Sequence, residues 1–245
     1  MTAVPHWDGP PPLAVVVDLD DTLYPQAAHL AGAAADVGAA AAAAGLDGDR
    51  VHAALLRELA AGSDRGGTID RALLAAGVPA GLLPGLVPSL VAAFTAHAPA
   101  SLRPYPGATE ALAALGAAVP VGCLTDGNPV IQEAKLAATG LAPLLHAVVV
   151  TDTLGGRAAR KPAPGGLRAL AARLGVPADR VLVIGDRPGK DVAVAHAVGA
   201  RALRVRQGEY ASAPDEPPAW AVTADFPSAA AVALAVVGAA VAVPR

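Results

Sequence analysis

Three acidic residues stand within four positions at the end of an apolar run near the start of the chain. The run consists of the valines at 15–17, and Asp18, Asp20 and Asp21 follow it. A continuous β-branched run next to turn-forming residues predicts a buried strand, whose carboxyl end is where open α/β sheets carry ligand sites. Crowded carboxylates repel each other unless a cation or a raised pKa relieves them. Because hard oxygen ligands favour Mg²⁺, we predict a magnesium site at this strand end.

Polar side chains also stand at the ends of three later apolar runs. These runs end at Thr125, at Thr151 and Asp152, and at Asp186, while Lys161 lies in a loop just before a helical pattern. If the strands are parallel, all these groups gather at one edge of the sheet. A metal, carboxylates, a hydroxyl and a lysine together predict phosphoryl chemistry, because the metal can hold one phosphoryl oxygen and the other donors the rest.

The elements that must position these groups alternate between apolar runs and helical patterns. After the first strand we predict strands at 119–124, 147–150, 181–184, 202–205 and 220–222, and helices at 107–117, 129–139, from 164 to about 174, at 190–198 and from 227 onward. This alternation predicts an α/β fold, a Rossmann-like doubly wound parallel sheet with right-handed crossovers.

The segment 24–102 has a different pattern, with helical signals and no convincing strand. We predict helices at 27–44 and 88–97, a helix that begins after Asp49, and a short helix capped by Thr68. An all-helical block that interrupts an α/β pattern predicts an inserted domain. We therefore divide the chain into a core of residues 1–23 and 103–245 and a helical domain of residues 24–102.

Composition excludes some classes of function. The net charge is −3 with the two signs interspersed, so nucleic acid is not expected as a partner. The apolar tract 229–243 is short and rich in alanine, so we expect a terminal helix and no membrane span. The single cysteine, Cys123, and an amino-terminal segment without a signal-peptide pattern lead us to expect a cytoplasmic protein.

Four motifs in a fixed order give the chain a clear resemblance to a known family. The chain resembles the haloacid dehalogenase (HAD) superfamily of hydrolases, and the helical segment after the first motif resembles the C1-type cap of subfamily I. The motifs are Asp18-Leu19-Asp20-Asp21-Thr22, Thr125, Lys161-Pro162, and the segment 185–191, Gly-Asp-Arg-Pro-Gly-Lys-Asp.

The resemblance implies a role for each motif residue. Asp18 would be the nucleophile that forms an aspartyl-phosphate, and Asp20 would protonate the leaving alkoxide and then deprotonate the attacking water. Thr125 and Lys161 would hold the phosphoryl oxygens, and Lys161 would also restrain Asp18. The implied Mg²⁺ ligands are Asp18, the Asp20 carbonyl, Asp186 and Asp191, and backbone amides near Leu19, Asp20, Asp126 and Gly127 would complete the phosphate site.

The same resemblance ranks the reactions. Dehalogenases of this fold lack an acid at the position of Asp20, and phosphonoacetaldehyde hydrolases need a cap lysine, which residues 24–102 do not contain. Hydrolysis of a small phosphorylated metabolite is the leading hypothesis. A sugar phosphate is favoured by a weaker resemblance in segments 190–192 and 204–210 to HAD proteins of sugar-nucleotide or secondary-metabolite pathways. A phosphomutase or phosphotransferase, or a binding protein without turnover, remains as an alternative.

Three charged residues near these motifs are expected to take no part in the chemistry. Asp21 and Asp152 are expected to be structural, and Lys190 is expected to be solvated. The six histidines show no metal-ligand spacing, so none is assigned a catalytic role.

Overall fold

A computed structural model describes residues 6–241 of the chain. It divides into two compact units. The first, an α/β unit, runs to Pro25 and includes Arg103–Gln132 and the chain from Thr139 onward. The second, a helical unit, consists of Gln26–Leu102 together with Glu133–Ala138. Among the described residues, no helix combines the length and the apolar character that crossing a membrane requires.

The α/β unit contains a sheet of six parallel strands. In chain order these are β1 (Ala14–Val17), β2 (Val121–Thr125), β3 (Ala147–Val150), β4 (Val181–Gly185), β5 (Arg201–Val205) and β6 (Ala221–Thr223). Their order in the sheet is β3-β2-β1-β4-β5-β6, so the chain builds outward in one direction and then returns to build outward in the other. The predicted doubly wound parallel sheet is confirmed, and its order reverses between β1 and β4, where such sheets bind ligands.

Helices alternate with the strands of this sheet along the chain. Their bounds are α5 (Ala108–Ala118), α6 (Pro129–Thr139), α7 (Gly165–Arg173), α8 (Ala193–His196) and α9 (Phe226–Val241). Residues 133–138 of α6 belong to the helical unit. The predicted helix near 190–198 is present over residues 188–196, where Pro188–Val192 forms a π-helical turn and α8 follows it directly. The predicted helix over the carboxyl-terminal tract is α9, and residues 242–245 lie outside the described part of the chain.

The core of the α/β unit is aliphatic and closely packed. All residues of β1, β2 and β4 are buried, as full coverage of a parallel sheet requires. One face packs Val16, Leu124 and Val183 against Leu167 and Leu170 of α7. The position next to Leu170 in β2 is Gly122, where an added Cβ would lie 2.9 Å from the leucine side chain. Helix and strand can approach this closely only because the glycine has no side chain.

The helical unit has its own core. Its helices are α1 (Ala27–Ala43), α2 (Gly48–Ala60), α3 (Thr68–Ala75) and α4 (Leu83–Ala96). Buried Val37, Val51, Leu55, Leu73 and Leu90 belong to one cluster. These side chains come from all four helices and form the core of an otherwise alanine-rich segment.

Three helix starts in this unit differ from the predictions. The cap of α2 is Asp47, which accepts a hydrogen bond from the Arg50 amide at 3.0 Å, whereas Asp49 lies in the first turn. Thr68 is the first residue of α3 and does not cap it, since its hydroxyl donates to the Arg65 carbonyl. Helix α4 begins at residue 83, not 88. Pro84 lies in its first turn, where a proline has no amide hydrogen bond to lose, and Pro88 lies inside the helix.

Candidate active site

The carboxyl ends of β1, β2 and β4 bring three of the motif residues together. Asp18 directly follows β1, and its amide donates to the Ile184 carbonyl of β4 at 2.9 Å, which continues the pairing of the two strands. Asp186 follows β4, while Thr125 ends β2. All three side chains are buried. The predicted gathering of polar groups at one edge of the sheet is therefore confirmed.

Lys161 is the central cation of this edge. Its Nζ lies 2.6 Å from Asp18 Oδ1 and 2.6 Å from Asp191 Oδ1, and it also donates to the Leu124 carbonyl at 3.2 Å. Only 3% of its side chain is exposed. Burial by itself lowers the pKa of Lys161, but Asp18 and Asp191 outweigh burial and raise the pKa well above its usual value. The lysine is therefore a permanent cation that holds two acids in place.

Three buried carboxylates form a group beside this lysine. Ligand atoms of Asp18, Asp186 and Asp191 all lie within 4.8 Å of one another. Both carboxylate oxygens of Asp186 are buried, and neither has a hydrogen-bond partner among residues 6–241. Burial, with added repulsion from Asp191 and Asp18, raises the pKa of Asp186 to about 9. Burial also raises the pKa of Asp18 to about 7, although Lys161 opposes this.

This group fits a hard divalent cation. It offers oxygen ligands only, and the partnerless oxygens of Asp186 point to a missing positive charge, since a buried carboxylate without one is costly. The π-helical turn brings Asp191 against the end of β4, where a Cβ on Gly185 would lie 2.3 Å from Asp191 Cγ. Glycine at position 185 is thus what admits the third acid to the group.

The carboxylate of Asp20 is held by two residues that the sequence reasoning missed. The Tyr24 hydroxyl donates to Asp20 Oδ1 at 2.5 Å, and the Gln132 amide donates to Asp20 Oδ2 at 3.0 Å. Burial and the nearby Asp20 raise the pKa of Tyr24, so its hydroxyl stays protonated as a donor. Tyr24 could have been found, since it lies two residues after the first motif and four after Asp20, whereas nothing in the pattern around Gln132 marks that residue.

The same glutamine connects Asp20 to the end of β2. Gln132 Nε2 lies 2.7 Å from Thr125 Oγ1 and 2.6 Å from the Asp126 carbonyl, in addition to its contact with Asp20. An amide nitrogen has two hydrogens and can serve two of these three acceptors at a time. Thr125 and Asp20, which are predicted to act on the same phosphoryl group, are therefore joined through one buried side chain.

The side chain of Asp126 organises the loops around this edge. Its Oδ1 accepts hydrogen bonds from the Thr151 hydroxyl at 2.8 Å and from the Lys161 amide at 3.0 Å. Its Oδ2 lies 3.2 Å from Lys190 Nζ. Although burial raises the pKa of Asp126, the two lysines outweigh it and lower the pKa below its usual value. The expectation that Lys190 is solvated was wrong, because folding brings the acid that follows β2 within its reach.

Three other residues considered in the sequence analysis, Leu19, Gly127 and Asp152, have different surroundings at this edge of the sheet. Leu19 is fully buried, so it can offer an anion its amide but not its side chain. Gly127 has a φ of 132°, which suits glycine. Asp152 forms a two-point ion pair with Arg160 at 2.7 Å, in agreement with a structural role.

Comparison with known proteins agrees with this geometry. The model of the haloacid dehalogenase-like hydrolase family matches residues 12–199. A glyceraldehyde 3-phosphate phosphatase of Methanopyrus kandleri is 34% identical over 203 residues, which span 80% of this chain and 85% of that protein. A phosphoglycolate phosphatase of Rhodospirillum rubrum is 46% identical over 96 residues, or 39% of this chain and 38% of that protein.

Solved structures show the same fold. A predicted phosphoglycolate phosphatase of Haemophilus somnus superposes with a TM-score of 0.67 at 19% identity, over 90% of this chain and 97% of that one. A 2-haloacid dehalogenase of Pseudomonas syringae gives a TM-score of 0.62 at 23% identity, over 91% and 97%. With the family model matching most of its length, this chain belongs to the haloacid dehalogenase-like hydrolase family.

Proposed function

We propose that this protein is a Mg²⁺-dependent phosphatase that hydrolyses a small phosphate monoester through an aspartyl-phosphate on Asp18. The observation that carries the proposal is the buried cluster of Asp18, Lys161, Asp186 and Asp191. It combines a carboxylate nucleophile, a permanent cation and two further acids suited to a metal. The relatives from Methanopyrus kandleri and Rhodospirillum rubrum, both named as phosphatases, support the same activity.

The proposed metal ligands are Asp18, Asp186 and Asp191, with the backbone carbonyl of Asp20. Bound there, Mg²⁺ would polarise a phosphoryl oxygen and offset the charge that develops on it. Lys161 neutralises part of the negative charge of the cluster and so favours the approach of an anionic substrate. Thr125 and Lys161, with the amides of Leu19, Asp20, Asp126 and Gly127, are the proposed donors to the phosphoryl oxygens.

The proposed reaction has two steps, both centred on the first motif. In the first, an oxygen of Asp18 attacks phosphorus in line with the leaving oxygen, and the phosphorus–oxygen bond of the ester breaks. The proton on Asp20 moves to the leaving alkoxide, which departs as an alcohol. In the second, Asp20 accepts a proton from water as the water oxygen attacks phosphorus. Inorganic phosphate leaves and Asp18 is restored as a carboxylate.

Tyr24 and Gln132 would keep Asp20 in place during both steps. Each donates to a different oxygen of its carboxylate, so the group cannot rotate without the loss of one hydrogen bond. Fixed orientation of a proton donor is worth a large part of the rate that general acid catalysis provides.

Release of phosphate from p-nitrophenyl phosphate tests the proposal. We expect turnover that requires Mg²⁺ and that Asp18→Asn abolishes, because an amide oxygen is a poor nucleophile. Asp8→Asn is the control, since that acid also pairs with an arginine, Arg201, but has no place in the proposed chemistry. If the purified, folded protein shows no Mg²⁺-dependent turnover, the proposal that it is an enzyme is refuted and a binding role is left.

The substrate class requires a separate measurement. We propose a phosphorylated metabolite, with sugar phosphates favoured, and a panel of such compounds would identify the best substrate. Conversion of a sugar phosphate to its isomer without release of phosphate would indicate a phosphomutase.

Two further expectations belong with this proposal. We propose that the helical unit is a C1-type cap, because it directly follows the first motif in the chain, and substrate profiles of variants in this unit would test it. A cytoplasmic location is proposed on the basis of the single cysteine, which is free and buried. Cell fractionation would test the location.

A further inference from the structure

The segment after β5 contacts the loop that carries the proposed proton donor. We name residues 207–209 the brace and residues 18–24 the first-motif loop. The Gln207 amide donates to the carbonyls of Asp21 at 3.0 Å and Thr22 at 2.7 Å. Its side-chain oxygen accepts from the amide of Phe226, the first residue of α9, at 3.3 Å. One side chain therefore connects the first-motif loop to a helix about 200 residues later in the chain.

Gly208 touches Asp21 directly. An added Cβ at position 208 would lie 2.3 Å from the Cβ and Cγ of Asp21, which is well inside contact distance. The next amide, that of Glu209, donates to Asp21 Oδ2 at 3.0 Å. Asp21 has a φ of 55°, and among the described residues it is the only non-glycine with a positive φ. The brace thus surrounds a residue whose backbone needs external support.

The brace itself is anchored by a buried arginine. Arg204 in β5 is fully buried, and its guanidinium contacts the Asp215 carboxylate and donates to the Tyr210 carbonyl at 2.8 Å. Arg206 contacts the same Asp215 carboxylate. Tyr210 and Asp215, which follow the brace in the chain, are thus both connected to arginines in β5 or directly after it. With this support, the brace can resist displacement of the first-motif loop.

The turn at Asp21 determines where the Asp20 carboxylate lies. The Asp21 amide donates to the Tyr24 carbonyl at 2.9 Å, and the Leu23 amide donates to the Leu19 carbonyl at 3.0 Å. The Tyr24 side chain then returns to hold Asp20 Oδ1. A shift of Asp21 would therefore move Tyr24 and release Asp20 from one of its two partners.

We propose that Gln207 and Gly208 are positioning residues that hold Asp20 in the orientation for proton transfer to the leaving group. This inference rests on the proposed function, in which Asp20 is the general acid. It also gives a role to the segment 206–210, Arg-Gln-Gly-Glu-Tyr, for which the phosphoryl chemistry by itself has none.

Gly208→Ala is the central test, and the chain offers a matched control. Gly140 has the same φ of 68°, but an added Cβ there would meet nothing within 4 Å. Both alanine variants place a side chain at a left-handed backbone position, and only Gly208→Ala collides with Asp21. Gln207→Met is the second variant, because it keeps the length of the side chain and removes the two hydrogen bonds to the first-motif loop together with the one from Phe226.

The measurement compares substrates that differ in leaving group. For wild type and variants, kcat/KM with Mg²⁺ would be determined for p-nitrophenyl phosphate and for phenyl phosphate. The phenolate that leaves phenyl phosphate is more basic and depends more on a proton donor. A general acid typically contributes about 10²–10⁴-fold, so we expect the ratio of the two constants to change by about 10-fold in Gly208→Ala and Gln207→Met.

The outcomes separate the inference from the proposed function. Gly140→Ala should lower stability while its ratio stays at the wild-type value. If Gly208→Ala does not fold, the ratio of the two kcat/KM values in Gln207→Met tests the positioning role instead. Folded variants that lose activity equally on both substrates, or lose none, would refute the positioning role alone. Absence of turnover in the wild-type protein would refute the proposed function and the inference with it.

Discussion

Asp186 offers the sharpest prediction, because its replacement should stabilise the protein when no metal is present. Its carboxylate is buried with neither oxygen hydrogen-bonded among the described residues, and burial together with Asp191 and Asp18 raises its pKa to about 9. The unfolded chain ionises this group at its ordinary pKa of 3.8. At pH 7 the folded protein must therefore keep it protonated or bury its charge. Each pH unit between the two values costs about 1.4 kcal/mol, so the total at pH 7 is up to about 4 kcal/mol.

The sign of the pH dependence follows from the raised pKa. Between about pH 4 and pH 9 the folded state binds the proton more tightly than the unfolded state, so rising pH destabilises the metal-free wild type. Asp186→Asn has no such group. In EDTA we expect it to exceed the wild type by about 2–4 kcal/mol at pH 7, with a gain that grows as pH rises and disappears below about pH 4.

Urea unfolding at several pH values, with EDTA or with Mg²⁺, measures this difference. Trp7 and Trp220 pack edge to face with ring centroids 4.8 Å apart in the α/β unit, so their fluorescence reports unfolding of the unit that contains Asp186. Mg²⁺ should stabilise the wild type and not the variant. Asp152→Asn is the control of opposite sign, since Arg160 lowers the pKa of that acid and its loss should cost about 0.5–1 kcal/mol.

Two results would contradict this reasoning. One is an Asp186→Asn variant that in EDTA is no more stable than the wild type at pH 7. The other is a gain that does not change with pH, which would assign the effect to packing and not to the buried charge.

Four further substitutions test other parts of the structure. Lys161→Met removes a cation that two buried acids share, so urea unfolding in EDTA should show a loss of about 3–5 kcal/mol. Arg204→Leu removes the buried partner of Asp215, and limited proteolysis should then cut residues 207–217 faster while cutting elsewhere in the α/β unit stays unchanged. Asp47→Ala should cost about 1 kcal/mol by circular dichroism of urea unfolding, whereas Asp49→Ala should cost only about 0.3–0.5 kcal/mol.

The local sequence pattern was sufficient to predict the strands and helices and to predict the edge of the sheet at which the site lies. Strand and helix periodicities are properties of short segments, so the doubly wound sheet was predictable. Since parallel strands end at the same edge, the meeting of Asp18, Thr125 and Asp186 was predictable too. The errors arose where a local signal had a near equivalent, as with Asp47 and Asp49, or where a side chain met a partner from a distant segment, as Lys190 meets Asp126.

The sequence by itself therefore determined the class of fold, the family and the residue types gathered at the carboxyl edge of the sheet. Only the tertiary structure decided which of these groups touch. Lys161 lies between Asp18 and Asp191, Gln132 joins Asp20 to Thr125, and the brace holds the turn at Asp21. These contacts join residues far apart in the chain, and their geometry depends on how helices and loops pack on the sheet. The periodicity of residues within one segment carries no information about that packing, so these contacts could not be predicted from it.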